Sequence, residues 1–218
     1  KYTMNKYHLS IKKLYKLISL ILLTTLFYAI IFATIRSQWT ILFVAGLTFL
    51  LTLLPWIAKK TYKIKTPTEI ELLITLFIYA TLFLGEIHDF YNIFWWWDLL
   101  LHAGSAIIFG FIGFIVIYYL ASRQGIKARS WTLAIFSFSF AIAIGAIWEI
   151  FEFTMDQVFG FNMQKSGLID TMGDLIIDTI GAVISSSIAY IYLKTKKTLI
   201  FNGIIKDIQK ENPTLFSK

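Results

Sequence analysis

The sequence predicts an all-α polytopic membrane protein, a bundle of six transmembrane helices with both termini cytoplasmic. Three observations carry this. Of its 218 residues 57% are hydrophobic and only 15% charged, where a soluble domain carries about 25% charged residues. Six apolar runs are long enough to cross a bilayer core about 30 Å thick. Basic residues gather on one side of those runs.

The runs fall near Leu17–Ile35, Trp39–Ala58, Leu72–Ile87, Leu99–Ala121, Trp131–Phe159 and Thr171–Leu193. Each is expected to be helical, because lipid offers backbone amides no partner. The third is short, and the fifth is long enough to tilt or project. The first is read as a retained anchor and not a signal peptide, since it exceeds a usual signal h-region and no A-x-A site follows. The six spans make residues 1–218 a single transmembrane domain. Phe201, Ile204, Ile205 and Ile208 recur at helical spacing, so 199–215 reads as an amphipathic tail on the inner leaflet.

Lysine and arginine set the direction. Eighteen of the 20 basic residues precede span one or follow spans two, four and six. Only Arg36 and Lys165 remain for the other side. By the positive-inside rule both ends of the chain are expected in the cytosol. That spread over several loops argues against nucleic acid as a partner and leaves membrane lipid. The absence of cysteine excludes disulfides, thiolate metal sites and cysteine nucleophiles.

Acidic residues take the opposite side. On this topology Glu86, Asp89, Asp98, Glu149, Glu152, Asp156, Asp170, Asp174 and Asp178 all fall in the outer half or at its rim, with His88 and His102. Asp98 and His102 are i,i+4. Glu149, Glu152 and Asp156 are i,i+3,i+7, and Asp170, Asp174 and Asp178 are i,i+4,i+8. Each set shares one helix face, and Asp178 lies roughly 12 Å deeper than Asp170. A carboxylate facing lipid at mid-helix costs about 2.5–3.5 kcal/mol, and such groups mark function by default. Small residues, Ala106-xxx-Gly110 with Gly113, Ala141-xxx-Gly145 and Gly181-xxx-Ser185-xxx-Ala189, suit close helix approach.

The excess of carboxylates favours a cation: a divalent metal such as Mg²⁺, Mn²⁺, Ca²⁺ or Zn²⁺, or protons. The expected ligands are His102, Glu149, Glu152, Asp174 and Asp178. His102 or Glu149 would act as base, with Glu152 beside them. Asp98 is expected to orient His102 by setting its tautomer. Glu86, His88, Asp89, Asp156 and Asp170 would form the rim. Plainer roles stand beside these. His88 fits a hydrogen-bonded interfacial histidine, and Trp95, Trp96 and Trp97 fit an aromatic belt. Asp170 fits a helix N-cap, and Asp89 and Asp156 fit solvated rim residues.

"GEIHDFYNIFWWWDLLLHAGSA", "AIWEIFEFTMDQVFG" and "DTMGDLIIDTIGA" together resemble the YjdF-type family of bacterial integral membrane proteins over residues 70 to 193. That resemblance implies a multi-pass protein of the bacterial cytoplasmic (inner) membrane, a kin group and no reaction. A looser likeness is to VanZ-like membrane proteins. Asp98, His102, Glu149 or Glu152, Asp174 or Asp178, and Gly181 follow that family's order. Lys165 stands in the loop where that pattern often has arginine, and Asp178 with Gly181 replaces its Asn-Gly pairing. The likeness implies an envelope-lipid or cell-wall context.

Three function classes remain open. One is a metal-dependent intramembrane enzyme acting on a lipid or lipid-linked envelope substrate. The second is a cation- or proton-coupled transporter. The third is a non-catalytic membrane protein whose polar cluster fixes helix packing or binds a partner.

Overall fold

The computed structural model describes residues 2–53, 57, 60, 68–125 and 128–195. The described residues are helical, without strands. Four helices are long and apolar enough to cross a membrane: Lys13–Ile35, Trp97–Ala121, Ser130–Phe159 and Leu168–Thr195. A shorter apolar helix covers Ile41–Thr52. The tail at 199–215, with Lys206 and Lys210, lies outside the described residues. By its internal contacts the chain divides into two compact units, Lys1–Trp97 and Asp98–Lys218.

The first unit begins with α1 (Tyr2–Ile35) and α2 (Trp39–Thr52). Ser37 takes a left-handed φ of 54° in the turn between them. At 14 residues, α2 is about 21 Å long, shorter than the span expected over Trp39–Ala58. Beyond Leu53 most of that run lies outside the described residues. Helix α3 (Thr68–Ile78) passes directly into a π-helical segment, Tyr79–Ile87. The span expected at Leu72–Ile87 is therefore helical, but its second half is wound wider than α. Helices α1, α2, α3 and the π segment pack on one another. The Tyr79 hydroxyl lies 3.0 Å from that of Thr25 on α1, within hydrogen-bonding distance. Gly85 has no side chain, and the Tyr91 ring occupies the space where a Cβ would stand. Glu71, which the sequence puts near an aqueous end, is buried.

After the π segment, Asp89 turns the chain with a φ of 58° and accepts the Asn92 side-chain amide at 2.6 Å. The four-residue helix α4 (Phe90–Ile93) follows. Phe90 meets Phe94 and Trp97 edge-on at 5.0 Å, while Trp95 is exposed. Asp89 is thus a turn residue with its own side-chain partner.

The second unit contains α5 (Trp97–Arg123, of which Trp97 belongs to the first unit), α6 (Ser130–Phe159) and α7 (Leu168–Thr195). Contacts fix their directions. His102 meets Glu149 and Asp178. Deeper, the Ser137 hydroxyl donates to the Gly110 carbonyl at 2.6 Å, and Ser185 lies against Gly110. Deeper still, Phe114 packs with Ala189 and Tyr192. So α5 and α7 run parallel and α6 runs against both.

Small residues set the spacing, as the sequence pattern implies. A methyl on Gly181 would stand 2.8 Å from the Ala106 Cβ and 3.0 Å from the Ala103 carbonyl oxygen. A Cβ on Gly113 would meet Phe140. With apolar lipid outside, such close packing is a main source of association between these helices. Their outward faces expose large apolar side chains, among them Ile147, Ile150, Ile169 and Ile176, as lipid contact requires.

Gly181→Ala should therefore lower stability by about 1–3 kcal/mol through overpacking, read as a fall in the unfolding midpoint in detergent. Gly104, on the same bundle, has open space at its Cβ position. Gly104→Ala should be neutral or stabilising by up to about 1 kcal/mol. Similar shifts for the two variants would contradict the close contact at Gly181.

Candidate functional site

The antiparallel order of α5, α6 and α7 brings three polar stripes to one end of the second unit. Asp98 and His102 lie one turn apart on α5, because i and i+4 stack on a helix face. Glu149 and Glu152 lie on the facing side of α6, and Asp174 and Asp178 on that of α7. All but Asp98 are buried: Asp178 is 1% exposed, Asp174 2%, Glu149 4% and His102 6%.

His102 is the centre. Its Nδ1 lies 3.3 and 3.4 Å from the two oxygens of Asp178. Its Nε2 lies 3.7 Å from Glu149 Oε1 and 4.0 Å from Asp98 Oδ1. The carboxylate that holds the ring is therefore Asp178 and not Asp98, and Asp98 stands on the working side of the ring. The sequence alone could not choose between them, since both are candidates until the helix rotation is known. Gly145 makes the arrangement fit. A Cβ there would collide with the Asp178 carboxyl, so a residue with no side chain lets Asp178 lie between α6 and α7.

Asp98, His102 and Asp174 each offer one ligand atom, all within 4.8 Å of one another. That is the spacing of groups able to share one cation. Asp174 Oδ2 and both oxygens of Glu149 are buried with no hydrogen-bond partner. Thr171 on α7 stands near Glu149 without closing a good hydrogen bond. Buried carboxylate oxygens are normally satisfied; here Glu149 Oε1 has the His102 Nε2 beside it at 3.7 Å, beyond hydrogen-bonding distance. Asp178, expected as a ligand, instead holds the far side of the ring. Glu152, also expected as a ligand, accepts the Trp148 indole N–H at 2.9 Å and lies outside the Asp98–His102–Asp174 group.

The rim residues divide. Asp156 accepts the backbone amides of Met163 and Gln164 at 2.7 and 2.9 Å. It clamps the loop between α6 and α7 and is not a free solvated carboxylate. Asp170 sits in the first turn of α7, which begins at Leu168. It is not the N-cap, because the helix starts earlier than the apolar run suggests. Glu86, His88 and Asp89 belong to the first unit and are exposed. His88 Nδ1 lies 3.1 Å from the Phe83 carbonyl oxygen, in keeping with an interfacial histidine.

Sequence reasoning missed Gly145 and Trp148 as site residues, and gave Lys165 as an outer charge in the loop where the VanZ-like pattern often has arginine. Gly145 carried a signal only as a packing residue. The i,i+4 spacing of Trp148 and Glu152 was the available sign of their pairing.

The polar line continues inward through Ser137 and Ser185, both wholly buried. It ends at Phe114, Ala189 and Tyr192, against which Phe111, Ile115 and Ile188 pack. The site thus has an apolar floor.

Two outcomes follow from this geometry. Asp156→Ala leaves two amides without their carboxylate, at a cost of about 1–3 kcal/mol, and should speed limited proteolysis within 160–167. Unchanged cleavage would rule out the clamp. Gly145→Ala should displace Asp178 and shift the ring ¹⁵N resonances of His102 while leaving those of His88 in place. Unshifted His102 signals would show that Asp178 does not hold the ring.

The comparisons agree with the membrane assignment. A relative in Thermotoga maritima, described as an uncharacterized protein, is 27% identical over 141 residues, covering 62% of this chain and 69% of its own. No solved structure matches the chain. These matches add nothing to the VanZ-like likeness, whereas the YjdF-type resemblance agrees with the family found. That family's model, described as a predicted membrane protein (DUF2238), matches residues 15–195. It runs from within α1 to the end of α7 and takes in every carboxylate of the site, and the chain belongs to this family of membrane proteins.

Proposed function

We propose that this chain is a six-span protein of the bacterial cytoplasmic membrane, both termini cytosolic, whose second unit is a metal-dependent intramembrane enzyme. Its site would face the outer leaflet and act on a lipid or lipid-linked envelope substrate. The one-sided distribution of lysine and arginine supports the orientation. The observation that carries the chemistry is the approach of ligand atoms of Asp98, His102 and Asp174 within 4.8 Å of one another, beside buried oxygens of Asp174 and Glu149 that make no hydrogen bond.

Carboxylates with one imidazole suit a hard or borderline divalent cation. Asp98, Asp174 and His102 would hold it. Asp178 would fix the ring through Nδ1, the outer-shell role such partners play at metal sites. The cation would polarise an oxygen of the scissile phosphate or ester group. Glu149, whose oxygens have no other hydrogen-bond duty, would take a proton from the attacking water. The bond to the leaving oxygen would break, and that proton would return to it.

Cation- or proton-coupled transport is the second reading, supported by the polar line through Ser137 and Ser185. The apolar floor at Phe114 weighs against it, because a transport path must continue to the other face. A packing-only role accords poorly with the orphaned oxygens, since a cluster kept for stability alone gains from satisfying its own groups.

Elemental analysis of protein purified without chelator should find about one divalent cation per chain. Asp174→Asn and His102→Ala should lose it, and Asp178→Asn should weaken binding about 10–100-fold. A folded, metal-free wild type would overturn the metal reading. Proteoliposome flux abolished by Glu149→Gln would establish transport in its place.

A further inference from the structure

We propose that Lys165 is the anion-recognition residue of this site, and that the anion it binds is the phosphomonoester of the substrate. The proposal rests on the metal-site reading above and gives that reading a substrate class. The geometry behind it is the loop between α6 and α7, which carries Lys165 over the mouth of the cluster.

That loop is built tightly. Gly160 and Gly167 take left-handed φ values of 68° and 64°, which only glycine adopts freely. Asp156 holds the amides of Met163 and Gln164. The Gln164 side-chain amide donates to the Thr171 hydroxyl at 2.6 Å, tying the loop to α7. The Lys165 amide donates to the Met163 carbonyl at 3.1 Å. The ammonium that leaves this frame is itself buried and lies within electrostatic reach of Asp98 and Asp170. A lysine kept only to balance charge could meet Asp170 from a solvated loop. Here the loop is pinned and the ammonium is drawn inward.

Lys165 is also the one lysine or arginine within 130–193. Arg129 and Lys194 flank that stretch at the other end of the bundle, beyond Phe114 and Tyr192. A cation site walled by carboxylates repels an anionic substrate unless positive charge stands at its mouth. An ammonium supplies that charge and three donors on a flexible stem. A phosphomonoester offers several acceptor oxygens, enough for one to meet the divalent cation and another to meet Lys165. The first turns of α5 and α7 open at the same end, where the helix dipoles are positive, although Asp98 and Asp170 stand in those turns.

The test uses the full chain in phosphatidylcholine nanodiscs. Mn²⁺ binding is followed by electron paramagnetic resonance. Short-chain phosphatidic acid and inorganic phosphate are titrated by calorimetry, with Mn²⁺ and without. Lys165→Met should weaken binding of phosphatidic acid about tenfold or more, the loss of a charge-assisted hydrogen bond, without weakening Mn²⁺ binding. Lys165→Arg should keep most of the affinity and shows whether the methionine variant failed merely by misfolding. Inorganic phosphate binding as tightly, with the same dependence on Lys165, supports the residue's role and identifies a free anion as the source. Equal phosphatidic acid affinity in wild type and Lys165→Met overturns the proposal. So does tighter Mn²⁺ binding in that variant with phosphate affinity unchanged, which marks a mere counter-ion. Binding of neither probe to wild type overturns it too. A wild type that binds no Mn²⁺ but binds phosphate through Lys165 sinks the metal reading alone.

Discussion

The site depends on one steric fact: three helices approach closely enough for Asp178 to reach His102. Gly145 makes room for the carboxyl on one side. Gly181 and Gly110 let α7 and α5 close at the levels of Ala106 and Ser185. In water, apolar burial could hold such helices even at wider spacing. In lipid that driving force is missing, and dispersion between close surfaces and interhelical hydrogen bonds take its place. Thus the same small residues that hold the bundle together also set the distance across which its polar groups meet.

Those polar groups oppose the packing. A buried ion pair returns little net stability, because desolvation consumes most of its Coulomb energy. His102 between Asp178 on one edge and Asp98 and Glu149 on the other is a site kept despite its cost. Asp174 and Glu149 raise that cost with oxygens that find no hydrogen bond. Some polar groups away from the cluster are fully engaged. Ser137, Asp156 and Gln164 each have a close partner.

Much of this was legible in the sequence because helical periodicity is short-ranged. The i,i+4 spacing of Asp98 with His102, and of Asp174 with Asp178, fixed a shared face before any packing was known. The convergence of α5, α6 and α7 followed from the lipid cost of those faces. What the sequence could not supply was rotation. Whether Asp98 or Asp178 faced Nδ1 depended on how α7 turns against α6, which rests on the void at Gly145. The start of α7 was misplaced for a similar reason, since Leu168 and Ile169 look like loop ahead of an acidic residue. The loop of residues 160–167 reads as polar and irregular, and only its hydrogen bonds reveal a rigid piece. The π winding of Tyr79–Ile87 left no periodic sign, because most of its residues are apolar.

That winding has a consequence for the first unit. A π segment can revert to α by expelling one residue from its ladder, turning every side chain beyond it by about 100°. Tyr79, tied to Thr25, marks the fixed end, and the Tyr91 ring lying on Gly85 stands near the end that would swing. Rewound as α, this segment would turn Phe83 and Glu86 toward other neighbours while the Tyr79–Thr25 hydroxyl contact stayed in place.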